Sequence, residues 1–199
     1  MGYEEKNIDD NRTLTGPEGA NESSFNEILR FALIALIIVL PIRWFVAQPF
    51  IVSGASMEDT FHNNEYLIVD QVTYRFDEPQ RGDVIVFKYP RDHSKYFIKR
   101  VIGLPGETVI VDGASITIKS ADYPEGLTLD EPYAQLGDSR FDQTLTLGDD
   151  EYFVLGDNRD HSSDSRVWGV LKREEIVGRA LLRLLPPQRA DLLPGAVTQ

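Results

Sequence analysis

The sequence contains no cysteine, so neither a disulfide nor a thiolate metal site can contribute to it, and the redox compartment is left open. Histidine is nearly as scarce: three residues, His62, His93 and His161, argue against a structural zinc. Positive charge is the minority sign. Twenty Lys and Arg face 32 Asp and Glu, a net charge of −12, so the chain lacks the basic footprint that nucleic acid requires. No repeat is visible, and after Phe50 no ten-residue helical period occurs, only a short helical turn expected at 172–175. What is present suffices for a packed domain: 42% hydrophobic residues, with ten Phe and eight Tyr, lie well above the disordered regime. A length of 199 residues leaves room for one domain and an appendage.

Residues 1–27 are polar and acidic, cannot bury enough apolar surface to order themselves, and read as a flexible tail. They are followed by the one long apolar run, Phe31 to Ile42, bounded by Arg30 and Arg43. Its uninterrupted part is twelve residues, short of the roughly 20 that a bilayer-spanning helix needs. Taken as 28–50 it becomes long enough, with Arg30 and Arg43 snorkelling to the headgroups and Trp44 and Phe45 as an interfacial anchor. A buried core helix would be apolar on every side, which is uncommon in so small a domain. A cleaved leader would start nearer the terminus and end in a small-x-small site, and Phe45 and Ala47 fit that badly. A transmembrane anchor is therefore the expectation. Its orientation is poorly specified by charge, because Lys6, Arg12 and Arg30 give the positive-inside rule little to act on.

Beyond the anchor the pattern changes to short β segments at 65–72, 83–89, 95–102, 108–111, 115–119, 151–155 and 176–185, separated by Gly, Pro and Asp. The expected fold of 51–199 is mostly β, a sandwich or partly closed barrel, preceded by one N-terminal transmembrane helix. Residues 112–150 are richer in Asp, Gly and polar residues and read as an excursion from the main sheet system.

Three segments carry candidate chemistry. Ser56 lies in Ser53-Gly54-Ala55-Ser56-Met57-Glu58-Asp59-Thr60-Phe61, just after the apolar run; it is a nucleophile or simply a turn hydroxyl. Lys99 lies within Tyr96-Phe97-Ile98-Lys99-Arg100-Val101-Ile102. On a strand, Phe97, Lys99 and Val101 share a face, so the ammonium is partly desolvated and its pKa lowered, which would let it accept a proton from a serine hydroxyl. The alternative is an edge-strand lysine that discourages aggregation. The segment from Gly156-Asp157-Asn158-Arg159 to Arg166 is dense in polar groups yet flanked by apolar runs, so those groups must satisfy one another unless the loop is simply solvated. Asp164 could pair with Arg166, and Ser162 could orient a lysine amine.

Together with Arg81-Gly82-Asp83-Val84-Ile85 and the Ile98-to-Glu107 stretch, these segments resemble, in order, the sequence boxes of type I signal peptidases. The resemblance covers roughly residues 30–185. It implies a Ser/Lys serine endopeptidase that removes signal peptides from exported preproteins at the outer face of the plasma membrane, single-pass, with the N-terminus cytoplasmic. It implies no metal and no cofactor; its partners are signal peptides with small residues at −3 and −1, and the lipid bilayer. Position by position, Ser56 matches the nucleophile and Lys99 the general base. Ser53 matches the hydroxyl that joins the Ser56 N–H in the oxyanion hole, and Ser162 the serine that orients the amine. Asp164 and Arg166 match the supporting pair, Arg100 the arginine after the base, and Phe97, Ile98 and Met57 the substrate-binding positions. Two residues depart from the family pattern: Asp59 and Phe61 stand where Pro and Leu are usual. Pro would stiffen the turn; Asp59 is expected to accept backbone hydrogen bonds in an Asx turn instead. Rival readings are a self-cleaving Ser/Lys repressor, which lacks its DNA-binding head here, a tethered β binding module without catalysis, and a Ser/His/Asp enzyme using His161.

Overall fold

The computed structural model describes residues 20–41, 47–136 and 141–197, with side chains described from residue 24 to residue 40 in the first stretch. The chain divides into two compact units, Met1–Pro41 and Ile42–Gln199.

The first unit contains helix α1 (Ala20–Pro41). Large apolar side chains along it, among them Phe25, Ile28, Phe31, Ile34, Ile37 and Val39, are exposed. The last described residue of the helix is Pro41, which has no N–H to donate to the ladder. The helix and the first strand of the second unit overlap the edges of the expected tail and anchor. Residues 20–27, read as tail, are helical, because lengthening an existing helix gains a hydrogen bond per residue without a new nucleation cost. Residues 47–50, read as anchor, belong to a strand of the second unit. Arg43, Trp44 and Phe45, expected at the membrane interface, lie outside the described residues, as does most of the expected tail. Among the described residues no helix is long and apolar enough to cross a membrane.

The second unit is mostly β, as the alternation of short apolar segments and turns implies. In chain order its strands are β1 (Ala47–Ile51), β2 (Tyr66–Asp70), β3 (Val84–Tyr89), β4 (Asp92–Gly103), β5 (Thr108–Asp112), β6 (Ser115–Lys119), β7 (Leu127–Thr128), β8 (Asp142–Thr146), β9 (Glu151–Leu155), β10 (Leu171–Lys172), β11 (Ile176–Leu185) and β12 (Asp191–Leu192). The main sheet runs β1-β2-β11-β3-β4-β9-β10, with β12 also on β11. Its pairs are antiparallel. Pro49, which cannot donate to a ladder, sits on the edge strand β1. The four-residue helix α2 (Ser165–Trp168) lies between β9 and β10, and the turn expected at 172–175 is a 3-10 turn at Arg173–Glu175.

The excursion is a second sheet of four strands, β7-β6-β5-β8, which begins at Thr108 rather than 112. Val109, Val111, Ile116 and Ile118 from this sheet pack with Ile102, Phe153 and Leu155 of β4 and β9 in one buried cluster, which seals it onto the main sheet. A second cluster gathers Ile85, Phe87, Val101, Tyr152, Val154 and Trp168, with Phe97 packed against it. A third, built of Val52, Met57, Phe61, Leu67, Val84 and Ala180, seats the loop that carries Ser56.

Candidate active site

Strand β4 delivers the lysine. Lys99 pairs with Ile85 across the β3–β4 ladder and lies between Phe97 and Val101 in the alternating sequence, both of which pack at the cluster that contains Phe87. The Phe97 ring stacks on Tyr89 with centroids 4.5 Å apart, meets Phe87 edge-on, and lies 5.4 Å from Lys99 Nζ. Nζ donates to Ser56 Oγ at 2.7 Å and to Ile98 O at 2.8 Å.

Lys99 is 3% exposed. Burial lowers its pKa from 10.5 to about 8, against the pull of Asp164 and Asp157, which raise it. Both carboxylates already face arginines. Arg166 Nε and Nη2 donate to the two Asp164 oxygens at 2.8 Å each, and Arg100 Nε and Nη2 to those of Asp157 at 2.8 and 2.6 Å. Paired with a guanidinium, each carboxylate projects a weaker field onto Lys99, so burial prevails.

Ser56 sits in a loop pinned to the polar segment opposite. The Asn158 N–H donates to Ser56 O at 3.1 Å. Gly156 permits this approach, since a Cβ there would lie 2.4 Å from Ser56 O and 2.2 Å from Ser162 Oγ. Within the loop, Glu58 N–H donates to Ala55 O and Phe61 N–H to Met57 O, so it winds tightly past Ser56.

The expected residues divide by where they end up. Ser56 and Lys99 meet, and Asp164 pairs with Arg166 while also capping α2 through the Arg166 N–H. Arg100 is completely buried, spans Asp157 and Gly82 O, and stacks its guanidinium 3.8 Å from the Tyr133 ring centroid. Ser53, Phe97 and Ile98 line a groove of about 470 Å³, together with Phe50, Ile51, Val86, Tyr96, Ser56 and Lys99. Met57, expected at the substrate, is 1% exposed within the third cluster, because the turn after Ser56 winds its side chain inward. The buried Oγ of Ser162 has no hydrogen-bond partner among the described residues, and the amine is held by Ser56 and Ile98 instead. The Asx turn expected at Asp59 is replaced by a long-range bond, Gln135 Nε2 donating to Asp59 Oδ2 at 2.8 Å.

Sequence reasoning assigned no role to Asp157, the partner of Arg100 and of Thr60 Oγ1, or to Glu131, which takes Arg159 in a bidentate pair. Their partners are 57 and 28 residues away, beyond any local pattern. The one available signal was the crowding of charge between two apolar runs, which demands partners from elsewhere.

A family model described as signal peptidase, peptidase S26, matches residues 25–185. A probable signal peptidase I-2 from Synechocystis is 37% identical over 182 residues, covering 88% of this chain and 80% of its own. Signal peptidase I from Leptolyngbya laminosa is 38% identical over 176 residues, 84% of this chain and 83% of that protein. Signal peptidase I P from Bacillus subtilis subsp. natto is 33% identical over 178 residues, covering 86% and 95%. The chain is a serine endopeptidase. It belongs to the signal peptidase family, peptidase S26.

Proposed function

We propose that this protein cleaves signal peptides from exported preproteins by a Ser/Lys mechanism, attached to the membrane through its apolar N-terminal segment. The observation that carries the reading is the 2.7 Å line between Ser56 Oγ and a buried lysine whose pKa is lowered to about 8. With Lys99 charged, Nζ donates along that line. Once the amine has lost its proton the bond reverses: the Ser56 hydroxyl donates to the Nζ lone pair and gives up its proton as Oγ attacks the scissile carbonyl. The resulting ammonium then supplies a proton to the leaving amine, and water attacks the acyl-enzyme with Lys99 again as base.

The developing oxyanion needs preorganised donors, typically worth about 3 kcal/mol each. Ser53 Oγ and the Ser56 N–H serve here; among the described residues neither has another hydrogen-bond partner. The groove beside the dyad is lined by Tyr96, Phe97 and Ile98 of β4 and by residues 50–56. An extended peptide adds along this strand by main-chain hydrogen bonds, and its alternate side chains enter shallow apolar pockets that take small residues at −3 and −1. His161, the centre of the Ser/His/Asp alternative, has its Nδ1 on Asn158 Oδ1 rather than on a serine.

Membrane attachment is supported by the exposed apolar side chains of α1 and the apolar residues that follow it in sequence. Residues 1–30 then lie on the cytoplasmic side and the β unit outside. The test is to incubate detergent-solubilised wild type, Ser56→Ala and Lys99→Ala with a secretory preprotein and map the cut. Cleavage after a small-x-small site by wild type and by neither variant is expected. Absence of cleavage by the wild type, or cleavage by either variant, overturns the reading. Protease protection in sealed vesicles checks the topology: both ends on one side would remove the anchor.

A further inference from the structure

The Ser56 loop is gripped at two ends. Its inner end is the Asn158–Ser56 bond already described. At its outer end, Asp59 and Thr60 turn their carbonyls toward two guanidinium groups. Arg183 Nη1 donates to Thr60 O at 2.8 Å, while Arg189 Nη2 donates to Asp59 O at 3.3 Å and to Thr60 O at 3.4 Å. One buried carboxylate faces both arginines: Glu65 Oε2 accepts from Arg183 Nη1 at 3.1 Å, and Oε1 forms an ion pair with Arg189 Nη1 at 3.1 Å without hydrogen-bond geometry. Arg183 Nε also donates to Arg189 O at 2.6 Å, tying the two together, and Arg183 Nη2 lies 3.6 Å from Asp191. Glu65 closes the base of the loop as well, its carbonyl accepting from the Val52 N–H at 2.9 Å.

Arg189 comes from the turn Pro187–Arg189, beyond residue 185 where the family match ends. The rest of this C-terminal segment leans on the same place. Gly195 O accepts from Arg100 Nη1, and a Cβ on Gly195 would lie 2.6 Å from Thr60 Cγ2.

We propose that Arg189, with Arg183 and Glu65, forms a positioning clasp that holds the Ser56 loop in register with Lys99. The inference rests on Ser56 being the nucleophile. Because the loop is wound by its own Glu58–Ala55 and Phe61–Met57 hydrogen bonds, a shift at Thr60 is passed to Ser56 rather than absorbed. Charge-assisted bonds to two carbonyls resist that shift better than water would. Displacing a reacting atom by about 1 Å costs on the order of 100-fold in rate, so a partial release costs about tenfold.

The test uses the full chain in detergent, assayed on a peptide with a small-x-small site, well below the unfolding midpoint of each variant. Arg189 is the first target because its side chain is 31% exposed, so Arg189→Gln should fold. We expect kcat to fall about tenfold with KM within about twofold of wild type and an unmoved pH midpoint, and Arg189→Lys to recover part of the loss. Glu65→Gln keeps the volume but loosens both arginines, and should lose at least as much kcat. Wild-type kcat in both Arg189→Gln and Glu65→Gln, with Ser56→Ala inactive, would overturn the clasp and leave the nucleophile in place. A raised KM with unchanged kcat would also overturn it, since Arg189 would then be touching substrate. Activity surviving in Ser56→Ala would instead remove the nucleophile, and the clasp with it.

Discussion

The two loops that meet at Ser56 and Lys99 are built on opposite plans. Residues 156–159 and 164–166 are buried throughout, and their charges are met at close range: Asp157 by Arg100, Arg159 by Glu131, Asp164 by Arg166. Residues 53–64 expose Ser53, Gly54, Asp59, Asn63 and Asn64, and the ion pairs that brace the loop come from Glu65 at its base and from β11 and the C-terminal segment. If the site admits an extended peptide, as proposed, it cannot bury both sides of itself. The buried side becomes a fixed floor, while the open side takes its rigidity from outside contacts.

Changing residues where the loops meet should have the largest effect. Ser56→Ala and Lys99→Ala should each lose roughly 10⁴-fold or more in kcat, and the double variant little beyond that, because nucleophile and base act as a unit. Additive losses measured on the same substrate would mean that the two groups work separately.

The floor should respond in stability. Asp157→Asn leaves the fully buried Arg100 without its counter-charge and should cost about 3–5 kcal/mol, read from denaturant unfolding. Arg189→Gln should cost turnover and little stability. If the two variants exchanged these signatures, the contrast between the loops would be wrong.

Lys99 itself should oppose folding. Its ionised form is the costly one: the gap between 10.5 and about 8 corresponds to about 3 kcal/mol. Below pH 8 the lysine is charged in both folded and unfolded chains, and the folded chain bears the whole cost. Between pH 8 and 10.5 the unfolded chain holds a proton that the folded chain has released, so wild-type stability rises with pH. Lys99→Met should therefore be more stable than wild type by about 3 kcal/mol at pH 7, with the difference shrinking toward pH 10.5. In the wild type, kcat/KM should fall about tenfold per pH unit below about 8, since the working amine is neutral. A flat profile between pH 5 and 9, with chemistry rate-limiting, would remove Lys99 as the base.

Ser162→Ala should have the smallest effect on stability, within about 0.5 kcal/mol, because its buried hydroxyl has no partner to lose among the described residues. Its effect on rate should be smaller than that of losing Lys99. A larger loss of stability would show that the hydroxyl is bonded in solution.

Legibility followed the range of each interaction. A lysine inside an apolar strand announces its own desolvation, so Lys99 could be read from its immediate neighbours, as could most strands of the main sheet. Strand β8 could not: Asp142–Thr146 is a half-exposed edge segment with little apolar content, and it is held by its pairing with β5. Hydropathy alone does not separate the anchor expected at 28–50 from β1, which begins at Ala47. The burial of Met57 was not legible, because a tight turn has no period from which to tell inward from outward. Arg183 and Arg189 left no local trace, since the carbonyls they hold are more than a hundred residues upstream.

Those separations also set a schedule. Ser56 and Lys99 are 43 residues apart, Thr60 and Asp157 are 97, and Arg183 reaches Thr60 across 123. Contacts of this span form late in folding, after the chain has met the entropic cost of closing long loops. During synthesis, the serine and lysine are therefore exposed long before the last strand has been made. The braces from Arg183 and Arg189 are thus the last of these contacts that can form, since both arginines are made well after Ser56 and Lys99.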